Sequence, residues 1–181
     1  MNTVRIIGGI YKGKKLHFPS IEGLRPTPDR VKETVFNWLM HDIRDSHCLD
    51  VFAGSGNLGF EAFSRGASKV IFIEHNRKAY ENIKNIIDSF HTKKLIAHHE
   101  NSMQYIESCK EEFDIVFLDP PFAKDYLPSC MQLFSTLPIL KIGGLVYIES
   151  QQEMTLPETW WKKLKLKKAG QVVYGLYQKI Q

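Results

Sequence analysis

The sequence predicts a doubly wound α/β sheet, and three observations predict it. Short apolar runs recur at Cys48–Ala53, Val70–Ile73, Leu95–Ala97, Ile115–Leu118 and Leu145–Ile148, continuous rather than alternating, as parallel strands covered on both faces require. Helical patterns lie between these runs, and strand–helix alternation is the signature of this class. The first run leads into glycines spaced G-x-G-x-x-G, at Gly54, Gly56 and Gly59, and then into a helical pattern at Leu58, Ala62 and Phe63. In such sheets ligands bind outside the carboxyl ends of the strands.

In chain order, Val4-Arg5-Ile6-Ile7 and Tyr11-Lys12-Gly13-Lys14-Lys15-Leu16 flank Gly8-Gly9 and predict a short hairpin. A hairpin alone is too small to be stable, so it must lean on the body or order itself on a partner. Residues 1–27 therefore form an N-terminal hairpin and basic segment, and residues 28–181 the main domain. Thr27 suits a helix N-cap, Pro28 the first helical position and Asp29 the positive end of the helix dipole. Val31, Val35, Phe36 and Leu39 make that helix's buried stripe. Ile83, Ile86, Ile87 and Phe90 share a face of a helix begun near Asn76, and Leu127, Met131, Phe134 and Leu137 share a face of another. The tail alternates Leu164 and Leu166 with lysines, turns at Gly170 and resumes at Val172, which predicts two strands joined by a short turn.

At 181 residues and 43% hydrophobic, the chain is long enough for one domain with a sizeable core. No apolar window is long enough to span a membrane and the first ten residues lack an export signal's apolar run, so a cytoplasmic protein is expected. Cys48, Cys109 and Cys130 are scattered and odd in number, and His98-His99 has no companion ligands; neither a disulfide framework nor a metal site is predicted. The net charge of +4 conceals an asymmetry: residues 1–32 carry seven basic and two acidic side chains, residues 160–181 six lysines and no acid, and the middle 11 basic and 18 acidic. Basic ends on an acidic body suit a polyanion. For the C-terminal lysines, guarding an edge strand explains the pattern equally well.

Chemistry concentrates at the predicted strand ends. Gly54 and Gly56 lack a Cβ, so they accept tight-turn angles and let a ligand approach the main chain, while Gly59 lets its helix pack close to the strand. Asp50 stands four residues before the first glycine, where a buried carboxylate needs a partner. It would repel a dinucleotide's phosphates but favour the cationic nitrogen and sulfonium of S-adenosylmethionine. Glu74, twenty residues after Gly54, suits the two ribose hydroxyls of an adenosine ligand. At the next strand end, Asn101-Ser102-Met103 offers a polar group for an adenine edge and an apolar side chain for its face; Ser102 serves equally as a helix N-cap before Ile106. The fourth strand ends in Asp119-Pro120-Pro121-Phe122. Its prolines fix φ, donate no N–H and leave carbonyls free, so Asp119 becomes a rigid acceptor beside an aromatic plate, which is what an exocyclic base amine needs.

Asp50-x-Phe52-x-Gly54-x-Gly56 together with Asp119-Pro-Pro-Phe122 resembles the class I S-adenosylmethionine-dependent methyltransferases that act on exocyclic amines. Arg5-Ile-Ile-Gly-Gly9, Leu24-Arg-Pro-Thr27, Asp29-Arg30, Phe36-Asn-Trp38, Gly170-Gln-Val172 and Leu176-Tyr-Gln178 narrow the resemblance, over essentially the whole chain, to the bacterial 16S ribosomal RNA guanine-N2 methyltransferases of the small subunit. The resemblance implies a Rossmann-like, seven-stranded, mostly parallel sheet with its last strand antiparallel, acting as a monomer. It implies that Asp50 and the turn Phe52-Ala53-Gly54-Ser55-Gly56 hold the methionine part of the cofactor, Glu74 the ribose, Asn101, Ser102 and Met103 the adenine, and Asp119, Pro120, Pro121 and Phe122 the target guanine. The substrate would be 16S ribosomal RNA, in the small subunit or an assembly intermediate. Arg5, Lys12, Lys14, Arg25 and Arg30 would then grip phosphates. Rival readings are methylation of an adenine N6 amine in DNA or RNA, a nicotinamide-dependent oxidoreductase on the same glycine turn, and a non-catalytic RNA-binding assembly factor.

Overall fold

A computed structural model describes residues 2–121 and 125–181. The chain opens with an antiparallel hairpin, β1 (Asn2–Arg5) and β2 (Lys15–Phe18), followed by α1 (Asp29–Trp38). Strands and helices then alternate: β3 (His47–Asp50), α2 (Asn57–Ser64), β4 (Lys69–Glu74), α3 (Arg77–Asp88), β5 (Leu95–His99), α4 (Ser102–Ser108), β6 (Phe113–Leu118), α5 (Leu127–Thr136) and β7 (Leu140–Ser150). A second hairpin, β8 (Trp161–Ala169) and β9 (Val172–Lys179), completes it.

The main sheet has seven strands in the order β5-β4-β3-β6-β7-β9-β8. The first five are parallel; β9 runs antiparallel to β7, and β8, at the edge, runs antiparallel to β9. The strands alternate their side chains between two cores, as the period of two demands. Cys48, Val70, Phe72, Ile115, Phe117 and Tyr147 pack under α1, α2 and α3, while Leu49, Ile71, Val116, Leu118 and Ile148 pack under α4 and α5. Among the described residues no helix is long and apolar enough to cross a membrane.

Three sequence expectations change. The first hairpin's strands lie at 2–5 and 15–18 rather than 4–7 and 11–16, because three of the intervening backbone donors turn to α2 while others close turns within the segment. Ile7 N–H donates to Glu61 Oε2 at 3.0 Å, Ile10 N–H to the Ser64 carbonyl at 2.8 Å, and Tyr11 N–H to Ser64 Oγ at 2.9 Å. Strand β3 stops at Asp50, since Val51 to Gly56 already turn. Thr27 is not the N-cap of α1: that position is Pro28, without a side-chain cap, and the Thr27 hydroxyl is engaged elsewhere.

Candidate active site

The glycine turn is pinned between its neighbours. Val51 N–H donates to the Phe117 carbonyl of β6, and Ala53 N–H to the Ile73 carbonyl of β4. Gly56 closes the turn in the left-handed region, at φ +75°, where a Cβ would sit 2.4 Å from the Phe60 ring. A Cβ at Gly59 would meet the Phe72 ring at 2.2 Å, so this glycine sets the close approach of α2 to the sheet.

Two acids brace the turn. Asp50 is buried, and its Oδ2 accepts the Gly59 N–H at 3.1 Å. Among the described residues no cationic side chain pairs with it. Burial, and the Glu74 carboxylate nearby, push its carboxyl up to about 7. Glu74, at the end of β4, accepts the Gly54 N–H at 2.8 Å through one oxygen and the Asn76 N–H at 2.7 Å through the other. An uncompensated buried carboxylate beside an open glycine turn is electrostatically complementary to a cation.

The rim continues at α4. Asn101, not Ser102, is the N-cap: its Oδ1 accepts from Met103 N–H at 2.9 Å and Gln104 N–H at 3.3 Å, and among the described residues its amide NH₂ has no acceptor. Ser102 is buried and donates to the Val51 carbonyl at 2.6 Å, tying α4 to the turn. Met103 is half-buried, with Cys130 Sγ at 3.5 Å from its sulfur. Phe52 packs against Tyr126 with ring centroids 5.2 Å apart; Ala53 and Ser55 are buried.

The register pairs Asp50 of β3 with Phe117 of β6, so Asp119 emerges just beyond the same rim. Asp119 is half-buried, Pro120 buried and Pro121 exposed; Phe122 lies outside the described residues. Burial, with the charges of Glu149 and Asp50 added to it, holds the Asp119 carboxyl well above the usual carboxylate range. Sequence reasoning passed over one residue here and gave another, Thr27, the role of a helix cap. Glu149 near the end of β7 is buried, and its Oε1 accepts from Thr27 Oγ1 and Tyr147 Oη, each at 2.8 Å. Thr27 Oγ1 also lies 3.5 Å from Asp119 Oδ2. The rule that found Asp50, Glu74 and Asp119, an acid at a strand's carboxyl end, would have found Glu149.

The five basic residues divide. Arg5 pairs with Asp29 at 3.6 Å and, with Lys15, Thr3 and the Pro26–Pro28 segment, lines a cleft of about 370 Å³ between hairpin and α1. Arg25 and Arg30 stand exposed on either side of Thr27 in the chain. Lys12 and Lys14 lie in the hairpin's loop, docked at the far end of α2; Lys14 Nζ sits 4.3 Å over the Phe90 ring.

The profile of a family described as "Conserved hypothetical protein 95" matches residues 4–178. The chain is 43% identical to the Haemophilus influenzae ribosomal RNA small subunit methyltransferase D, over 97% of this chain and 93% of that one. It is 40% identical to the Escherichia coli protein of the same name, over 97% and 90%. A solved structure of a candidate methyltransferase from Escherichia coli superposes with a TM-score of 0.91 at 40% identity, covering 99% of each chain. A candidate methylase from Haemophilus influenzae gives 0.84 at 38%, covering 99% of this chain and 100% of that one.

Proposed function

The chain belongs to the family of the ribosomal RNA small subunit methyltransferases D, and on that footing we propose that it methylates the exocyclic N2 amine of a guanine in 16S ribosomal RNA with S-adenosylmethionine. Methylation of ribosomal RNA is the family's activity by the names of its members; the base and the atom are the finer part of this reading. The observation that carries it is the meeting of Asp50 and Asp119. The two acids stand at the ends of neighbouring strands on one rim and the charge of Asp50 reaches Asp119, which supports a cofactor turn and an amine acceptor that would face a common space.

S-adenosylmethionine supplies an electrophilic methyl group on a positively charged sulfur. Asp50, buried and with no cationic partner among the described residues, would draw that cationic end to the turn formed by Phe52, Ala53, Gly54, Ser55 and Gly56. Glu74 keeps lone pairs for ribose hydroxyls beyond the two it lends to Gly54 and Asn76. The Asn101 amide would donate to an adenine ring nitrogen, with Ser102 fixing the loop and Met103 against the ring. The Asp119 carboxylate and the Pro120 carbonyl would accept the two amine hydrogens and aim the nitrogen, with Pro121 keeping the loop stiff and Phe122 stacking on the base. The target must first leave its RNA stack. Holding a near-attack pose supplies a large share of the rate. Arg5, Arg25 and Arg30 around the cleft, and Lys12 and Lys14 further out, would bind phosphates along the RNA.

The test is methyl transfer from tritiated S-adenosylmethionine to unmodified 16S ribosomal RNA, offered naked and as assembled subunits, with mass mapping of the nucleosides. N2-methylguanosine is the expected product. N6-methyladenosine would replace this reading with its nearest rival, and no transfer to either form would favour a binding role.

A further inference from the structure

Asp119 is the outer member of a row of polar side chains that leads inward from the rim. Thr27 Oγ1 lies 3.5 Å from Asp119 Oδ2 and 2.8 Å from Glu149 Oε1, and Tyr147 Oη lies 2.8 Å from that same Glu149 atom. A threonine hydroxyl has one proton, and the shorter contact claims it. Exposure falls along the row: Asp119 is half-buried, Thr27 and Glu149 are each 5% exposed, and Tyr147 is 0%. Among the described residues no cationic side chain pairs with Asp119 or Glu149. The groups facing them are Asp50 from β3, Thr27 from the lead-in to α1, Tyr147 on β7 and, behind it, Tyr174 on β9. Two carboxyl groups this close and this dry do not both ionise; they share a proton and titrate as a pair.

We propose that Glu149 and Thr27 form a proton relay with Asp119, in which Glu149 takes the pair's resting proton so that Asp119 is ionised when it grips the amine. This rests on the assignment of Asp119 as amine acceptor. The first proton passes from Asp119 to Thr27 Oγ1 while the threonine's own proton moves to Glu149 Oε1. The amine nitrogen then forms its bond to the methyl carbon; the carbon–sulfur bond breaks and its electron pair stays on sulfur. The nitrogen, now carrying a positive charge, gives its surplus proton to Asp119. The pair enters the step with one proton and leaves it with two, and the second returns to water through the exposed side of Asp119 when product departs. Thr27 and Glu149 touch neither reacting atom and act as positioning residues.

Single-turnover methyl transfer to unmodified 16S ribosomal RNA, followed against pH at saturating S-adenosylmethionine, tests the relay. In Glu149→Gln nothing remains to take the pair's resting proton, so Asp119 must lose it to water on its own. The acid limb should move upward by on the order of one pH unit, with the plateau near the parent's; a downward move, which removal of Glu149's charge alone would give, would overturn the relay. Thr27→Val should move the limb upward likewise, and Thr27→Ser, which restores the hydroxyl, should return it. An acid limb and plateau unchanged from the parent in both Glu149→Gln and Thr27→Val would overturn the relay. Should Glu149→Gln fail to fold by circular dichroism, the Val and Ser variants at position 27 decide alone. Asp119→Asn separates the two layers. If it turns over like the parent, the assignment of Asp119 itself falls; if it is inactive while the other variants match the parent, only the relay falls.

Discussion

Asp50 gives the unliganded protein a stability that depends on pH. Its carboxyl sits at about 7 in the folded chain, against an ordinary 3.8. The folded state therefore holds a proton that the unfolded chain releases. The corresponding stability is complete below about pH 4, declines as pH rises, and is lost above about 7. The span corresponds to on the order of 4 kcal/mol for this group alone. Asp119 and Glu149, also raised, act in the same direction. Thermal melts without ligand should give a Tm several degrees lower at pH 8 than at pH 5, and Asp50→Asn should flatten part of that slope. Asp119→Ala should abolish methyl transfer while S-adenosylmethionine still binds by calorimetry; ordinary turnover in that variant would remove Asp119 from the chemistry. Three of the four rim acids were visible in the sequence, because each follows an apolar run, and Asp50 and Asp119 also precede a glycine or proline turn. Glu149 was open to the same rule but was passed over, because no glycine or proline turn marks it and its partner is a threonine 122 positions away in sequence. That threonine was hidden in turn by local rules, which read Thr27-Pro28-Asp29 as a helix cap.

Helix α2 joins the hairpin to the glycine turn. Asn57, Glu61, Ser64 and Arg65 lie on one face at helical spacing. Glu61 receives the Ile7 N–H, lies 3.3 Å from Lys32 Nζ and holds Arg65 at 2.8 Å. Lys32, 0% exposed, reaches from α1 to the Arg5 carbonyl at 2.6 Å and to Asn57 Oδ1 at 2.7 Å. Burial pulls its ammonium below its ordinary pKa, while Glu61 and Asp29 pull it back up. Glu61→Ala would leave that buried cation only the half-exposed Asp29 as a counter-charge, at a cost of about 3 kcal/mol. A Tm drop on the order of 10 °C is expected in calorimetry. Lys12→Ala with Lys14→Ala should instead leave Tm nearly unchanged and weaken RNA binding, lowering the slope of log affinity against log salt by about 2. An equal slope in parent and variant would make the loop structural. The stripe of α1 was legible as Val31, Val35, Phe36 and Leu39; its buried lysine was not, since periodicity records only apolar faces.

Taken whole, the molecule joins five parallel strands and an antiparallel pair into one seven-stranded sheet, with the β1–β2 hairpin as a separate two-stranded sheet. The lysines of β8 face solvent along the outermost strand, where unpaired backbone groups would otherwise template another chain. Replacing Lys165 and Lys167 with valine should promote self-association, measured by sedimentation at rising concentration, with little change in catalytic rate. The sheet class was legible because buried parallel strands write themselves as uninterrupted apolar runs. The order of the last two strands was not, since it depends on which of them reaches β7. That order bears on biosynthesis. The strand next to β7 leaves the ribosome after the strand that will lie outside it. A nascent chain that has emerged only as far as Ala169 still has the rim of β7 bare. The final hairpin must then close upon itself and latch sideways, so trimming residues 172–179 would remove a strand from the interior of the sheet rather than its fringe.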